Sequence, residues 1–171
     1  MKNRTYKVSY IGLMLAVAFV LSYIETLIPV SMGIPGVKAG LSNIPIMVTL
    51  YTLGSMYAAI LACVKVILVS VTFGSMSSFF YSFAGALTSI LMMTVMKRID
   101  VFSTRGVSII GGITHNLGQI AVAVIIVENM KLLYYTPVLV MSGVVAGLGI
   151  GLIADLIIKR IGVLFVNNDQ K

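Results

Sequence analysis

The sequence predicts an all-α integral membrane protein, a bundle of six transmembrane helices, and three observations carry that expectation. Hydrophobic residues make up 59% of the 171-residue chain and charged residues only 10%, against roughly 25% charged in a soluble domain. The apolar residues fall into runs near the ~20 residues that a helix rising 1.5 Å per residue needs to cross a hydrocarbon core of about 30 Å. The basic residues gather at the ends of those runs, so the net charge of +7 describes topology and not a nucleic-acid footprint.

The first run, residues 8–28, follows Lys2, Arg4 and Lys7. It has the outline of a signal peptide, but its length, the lack of an Ala-x-Ala-type cleavage site and the further spans after it make it a retained helix. Gly12 and Ala16 stand one turn apart on it, a small-xxx-small pair that admits close approach of another helix, from this chain or from a partner. Glu25 lies near its far end, and a Gly/Pro loop carrying Lys38 follows. Residues 41–73 are almost continuously apolar, and as one helix they would reach ~50 Å, so they must fold back. Gly54-Ser55 is the break, giving spans at 41–53 and 56–73; the first is short for a full crossing and is expected to thin the bilayer or be shielded by the loop before it.

The fourth run, 77–96, opens with Phe79, Phe80, Tyr81 and Phe83, a cluster that fits an interfacial belt or a ring-binding pocket. A charged loop from Lys97 to Arg105 leads to the fifth, 107–127, the most polar of the set. The sixth, 134–158, carries Gly143, Gly147 and Gly151 at four-residue spacing, a close-packing face. With six spans, Lys2, Arg4, Lys7, Lys97, Arg98, Arg105, Lys159, Arg160 and Lys171 share one side, nine of the twelve basic residues, against Lys38 and Lys131 on the other. The positive-inside rule then makes both termini cytoplasmic in a multi-pass protein of the bacterial plasma membrane and turns the Lys38 loop outward.

Two sets of residues ask for an explanation. Lys65 falls halfway along the third span, where a lysine costs roughly 3 kcal/mol on insertion scales. No carboxylate of the sequence stands clearly at its depth, which favours an anionic or strongly polar ligand over a structural lysine bonded to backbone carbonyls. His115, Asn116 and Gln119, at i, i+1 and i+4, form a polar stripe that must face the bundle, either to satisfy neighbouring helices or to line a cavity. Cys63 is the single cysteine, so no intrachain disulfide and no cysteine-rich metal site are expected.

The sequence also lacks a Gly-x-x-x-x-Gly-Lys-Ser/Thr loop, paired aspartates for Mg²⁺ on a diphosphate, and a supported catalytic triad. No catalytic residue, metal or cofactor is expected: the chain reads as a binder or conduit that takes its energy from partners.

Leu41-Ser42-Asn43-Ile44-Pro45 leading through Gly54 to Lys65, together with the six-span pattern and the outward loop, resembles the substrate-capture (S) subunits of energy-coupling factor (ECF) vitamin transporters. More narrowly, PGVKAGLSNI, FGSMSSFFYSFAGALTS and GVSIIGGITHNLGQ resemble the Gx transporter family, also labelled heptaprenyl diphosphate synthase component I. The likeness covers nearly the whole chain. It implies docking on a transmembrane coupling (T) subunit through Gly12 and Ala16, with ATPase subunits as the engine. It also implies a substrate site that takes in Lys38, Asn43, Lys65, His115, Asn116 and Gln119. The expected ligand is a small anionic vitamin-like, quinone-precursor or isoprenoid-precursor compound; the synthase label allows, as the alternative, a non-catalytic accessory of polyprenyl diphosphate synthesis.

Overall fold

The computed structural model describes residues 2–27 and 40–168, with side chains over 5–27 and 40–161. Lys38 lies outside the described residues. Among those that are described, every regular element is helical: α1 Lys2–Leu27, α2 Ile44–Thr52, α3 Ser55–Phe73, α4 Met76–Ile99, α5 Thr104–Val127 and α6 Thr136–Asn168, with 3-10 turns at Leu41–Asn43 and Met130–Tyr135.

By length and composition five of these helices are able to cross a membrane, and α2 is not among them. The described residues thus form five long helices and one short one, the second, whose apolar run was already short for a full crossing in the sequence. A nine-residue helix rises only about 13 Å. Its limits have local causes. Pro45 brings no N–H and suits the first helical turn. At the other end Gly54 takes φ +97°, a value that side chains rarely adopt, and lets the chain turn directly into α3. Seven of the nine α2 residues are buried, as befits a helix that is apolar all round and sits inside other helices.

Around that centre, α3, α4, α5 and α6 follow one another, α2 closes the gap between α6 and α3, and α1 lies over α2 and α3. Met47, Leu50, Leu61 and Val107 are buried at the middle of the core. The tightest seam joins α5 to α6. A Cβ added to Gly112 would stand 2.3 Å from the carbonyl oxygen of Gly143, and one on Gly147 would stand 2.7 Å from Ile109 Cα. The stripe of small residues on α6 thus lets two backbones touch.

One end of the bundle is basic. Lys7 lies over the ring of Tyr57, Lys97 donates to the Leu50 carbonyl at 2.7 Å, and Arg105 and Lys159 both reach Asp155, at 3.2 and 3.0 Å. These contacts gather the start of α1, the Gly54 turn and the α4–α5 turn at the same end. The aromatic cluster of α4 packs on itself, with Phe79 5.6 Å from Phe83 and 5.4 Å from Phe80 between ring centres. None of these rings lines the cavity described next.

Candidate functional site

A cavity of about 180 Å³ runs inside the bundle between α1, the 3-10 turn before α2, and helices α2 to α6. A lone water needs only about 10–15 Å³, so this volume suits a small molecule. Asn43, Lys65, His115, Asn116 and Gln119 all line it. Helix geometry explains the last three: positions i, i+1 and i+4 of α5 share a side, and the bundle interior lies on that side.

Lys65 is the most constrained of the polar groups. It is 7% exposed, and its ammonium donates to Asn43 Oδ1 at 2.7 Å and to Ser42 Oγ at 3.4 Å. Ser42 in turn donates to Glu25 Oε2 at 3.1 Å, and the other Glu25 oxygen accepts from the Leu41 backbone N–H. A hydroxyl that accepts from an ammonium and donates to a carboxylate connects the two charges through one polarised chain. This corrects the expectation that no carboxylate stands near Lys65. Glu25 reaches it because the Leu41–Asn43 turn carries Ser42 back against α1. Glu25 and Ser42 are therefore two site residues that sequence reasoning passed over. Their signal was adjacency to Asn43 and a carboxylate near a span end, and neither says which helix they meet.

The α5 residues divide by role. The Asn116 amide nitrogen donates to the Leu139 carbonyl at 2.7 Å and reaches Ser142 Oγ at 3.1 Å, so it fastens α5 to α6 as well as bordering the cavity. His115 and Gln119 stand against α4 where it has Gly85: a Cβ there would fall 2.8 Å from Gln119 Cγ and 3.0 Å from the His115 ring. Glycine at that position lets the two polar side chains occupy the α4–α5 contact without pushing the helices apart.

Gly12 and Ala16 lie elsewhere, on the outer face of α1. Both are exposed, and a Cβ added to Gly12 meets nothing within 4 Å. The small-residue face is thus not taken up by packing among the described residues. These residues also contain no cluster of His, Cys, Asp and Glu able to hold a metal ion.

A model of the family described as heptaprenyl diphosphate synthase component I matches residues 14–157. The chain belongs to that family. The matched stretch takes in every site residue named above that lies in the described structure except Gly12. No curated protein matches this member of the heptaprenyl diphosphate synthase component I family. In three dimensions it is similar to a solved structure described as the S component of a bacterial ECF transporter, with a TM-score of 0.62, 20% sequence identity, and coverage of 98% of this chain and 99% of that one. At that identity the likeness is one of fold.

Proposed function

We propose that this chain is the substrate-capture subunit of an ECF-type transporter, holding a small molecule with a polar head in the cavity around Lys65. The observation that carries the reading is a buried ammonium, held by Asn43 and Ser42, on the wall of a ligand-sized cavity inside a membrane bundle. Intramembrane ionisable groups are expensive, and where they line a cavity they mark substrate paths. The S-component-like fold supports the same reading. Asn43, Lys65, His115 and Gln119 contact the head of the ligand, Asn116 shapes the wall, and Lys38 contributes from the preceding loop. The ligand range is that of anionic vitamin-like, quinone-precursor and isoprenoid-precursor compounds.

The chain has no nucleotide-binding loop of its own, so uptake needs a transmembrane coupling subunit and its ATPases. They dock on the open face of α1 at Gly12 and Ala16. Both termini lie on the cytoplasmic side of the plasma membrane, where the basic end of the bundle meets the ATPases. Gly12→Leu and Ala16→Leu place a large side chain at a close helix crossing and abolish co-purification of coupling subunit and ATPases while the isolated chain stays monodisperse in detergent. Recovery of the full complex with both variants favours the second reading, suggested by the family's description: a non-catalytic accessory of heptaprenyl diphosphate synthesis. That reading is tested by whether the chain raises the product yield of a prenyl-chain synthase reconstituted with it.

A further inference from the structure

A ligand head held by Lys65 alone would leave the other charged group of the cavity without a role. Glu25 lines the cavity as well, and among the described lining residues it is the only carboxylate and Lys65 the only ammonium. Glu25 is half-buried, so its carboxylate borders the cavity and is not packed away beneath the wall. A carboxylate has about four acceptor positions, and its hydrogen-bond donors among the described residues are the Leu41 N–H and the Ser42 hydroxyl. About half of its accepting capacity is left for a ligand.

The two charges are close. Glu25 Oε2 and Lys65 Nζ reach the same Ser42 oxygen, at 3.1 and 3.4 Å, and the second of these is long for an N–H···O bond. A ligand group that meets one charge therefore feels the other. A bare carboxylate or a diphosphate is drawn to Lys65 and repelled by Glu25 in an interior where water screens little. An α-amino acid head carries both signs, with its nitrogen roughly 3 Å from its carboxylate oxygens. That spacing lets the carboxylate meet Lys65 and the ammonium meet Glu25 at once, so each buried charge finds its opposite. Among the described residues no Phe or Tyr lines the cavity, and Ile46, Val66 and Ile90 do, a wall that suits an aliphatic chain.

We propose that Glu25 is a specificity-determining residue and that the head of the ligand is a zwitterion of the α-amino acid type, its carboxylate bonded to Lys65 and its ammonium to Glu25. This rests on the reading of the cavity as a substrate site and narrows it: the anionic group becomes one half of a head that is neutral as a whole. Prenyl diphosphates, which carry negative charge alone, are disfavoured.

The test measures binding of three probes to the full chain in non-ionic detergent. L-norleucine carries both charges, 2-hydroxyhexanoate replaces its ammonium by a hydroxyl, and pentylamine drops its carboxylate. Wild type holds norleucine about 10- to 150-fold more tightly than either single-charge probe, the value of one hydrogen bond to a charged group. In Glu25→Gln the preference for norleucine over 2-hydroxyhexanoate disappears, whereas a carboxylate that only steadies Lys65 would lower both affinities by the same factor. If Glu25→Gln does not fold, the wild-type ranking still decides, since it needs both charges and no variant. Wild-type affinity for 2-hydroxyhexanoate or pentylamine equal to that for norleucine, a preference that survives Glu25→Gln, or no binding of any probe at millimolar concentration overturns the proposal. Failure of the transport reading is seen separately, in recovery of the full complex with Gly12→Leu and Ala16→Leu, which these probes do not touch.

Discussion

Lys65 brings an ammonium into the core, and the residue that steadies it is a carboxylate on another helix, reached through Ser42. Removing one charge from such a set leaves the other uncompensated, whereas removing both is close to neutral. Glu25→Gln keeps the shape and the hydrogen-bonding reach but deletes the charge, with an expected loss of about 1.5–3 kcal/mol, the worth of hydrogen bonds to charged groups. For a chain of this size that is a fall of roughly 3–12 °C in melting temperature. Adding Lys65→Met to Glu25→Gln recovers most of the fall, and strictly additive effects in this cycle refute the coupling. Ligand affinity gives the second reading at this scale. Lys65→Met weakens binding by about 10- to 150-fold if the ammonium bonds the head of the ligand. Unchanged affinity in both Lys65→Met and His115→Ala removes the site.

At the scale of elements, the α5–α6 seam and the short central helix define the cavity. Gly147→Ala would bring a Cβ within 2.7 Å of Ile109 Cα and the Ser108 carbonyl oxygen, backbone atoms that cannot rotate away. The cost is about 1–3 kcal/mol by forced separation of the helices. Gly149, two residues along α6, is the matched control, since a Cβ there meets nothing within 4 Å; Gly149→Ala is neutral or stabilising by up to about 1 kcal/mol of helix propensity. Thermal unfolding of the two variants in the same detergent settles the point, and equal effects would show that the seam is looser than drawn. At the opposite edge of α2, Lys97 ties the helix end through the Leu50 carbonyl and lies 4.8 Å from the centre of the Tyr51 ring. Lysines on α3 and α4 thus hold the two ends of α2, one at Asn43 and one at Leu50.

For the molecule as a whole, the basic end is the feature that decides orientation. Lys7, Lys97, Arg105 and Lys159 all engage partners there, and the proposed topology, by the positive-inside rule, puts that end in the cytoplasm. Val101→Cys and Met130→Cys, each in a Cys63→Ala background, probe the α4–α5 and α5–α6 connections at positions 76% and 72% exposed. In whole cells an impermeant thiol reagent labels the cysteine at 130 and spares the one at 101. The reverse pattern inverts the topology and turns the Gly12–Ala16 face and the basic end away from any cytoplasmic engine.

Helical class, membrane character and the break at Gly54 were legible in the sequence, because each is set by neighbours in the chain: the length of an apolar run, a residue free to take positive φ, a proline without an N–H. His115, Asn116 and Gln119 were also visible as a stripe, since helical period alone puts them on one side. What tertiary structure decided was partnership. That Asn116 bonds α6 as well as bordering the cavity, that Glu25 answers Lys65 through Ser42, and that Ser89 lies beside Gly111 all depend on which helix faces which. Apolar periodicity fixes the inward face of each helix but not its neighbour or its vertical register, and in a bundle where nearly every surface is apolar, those are chosen by close backbone contact at glycine and by the few polar groups that must find one another.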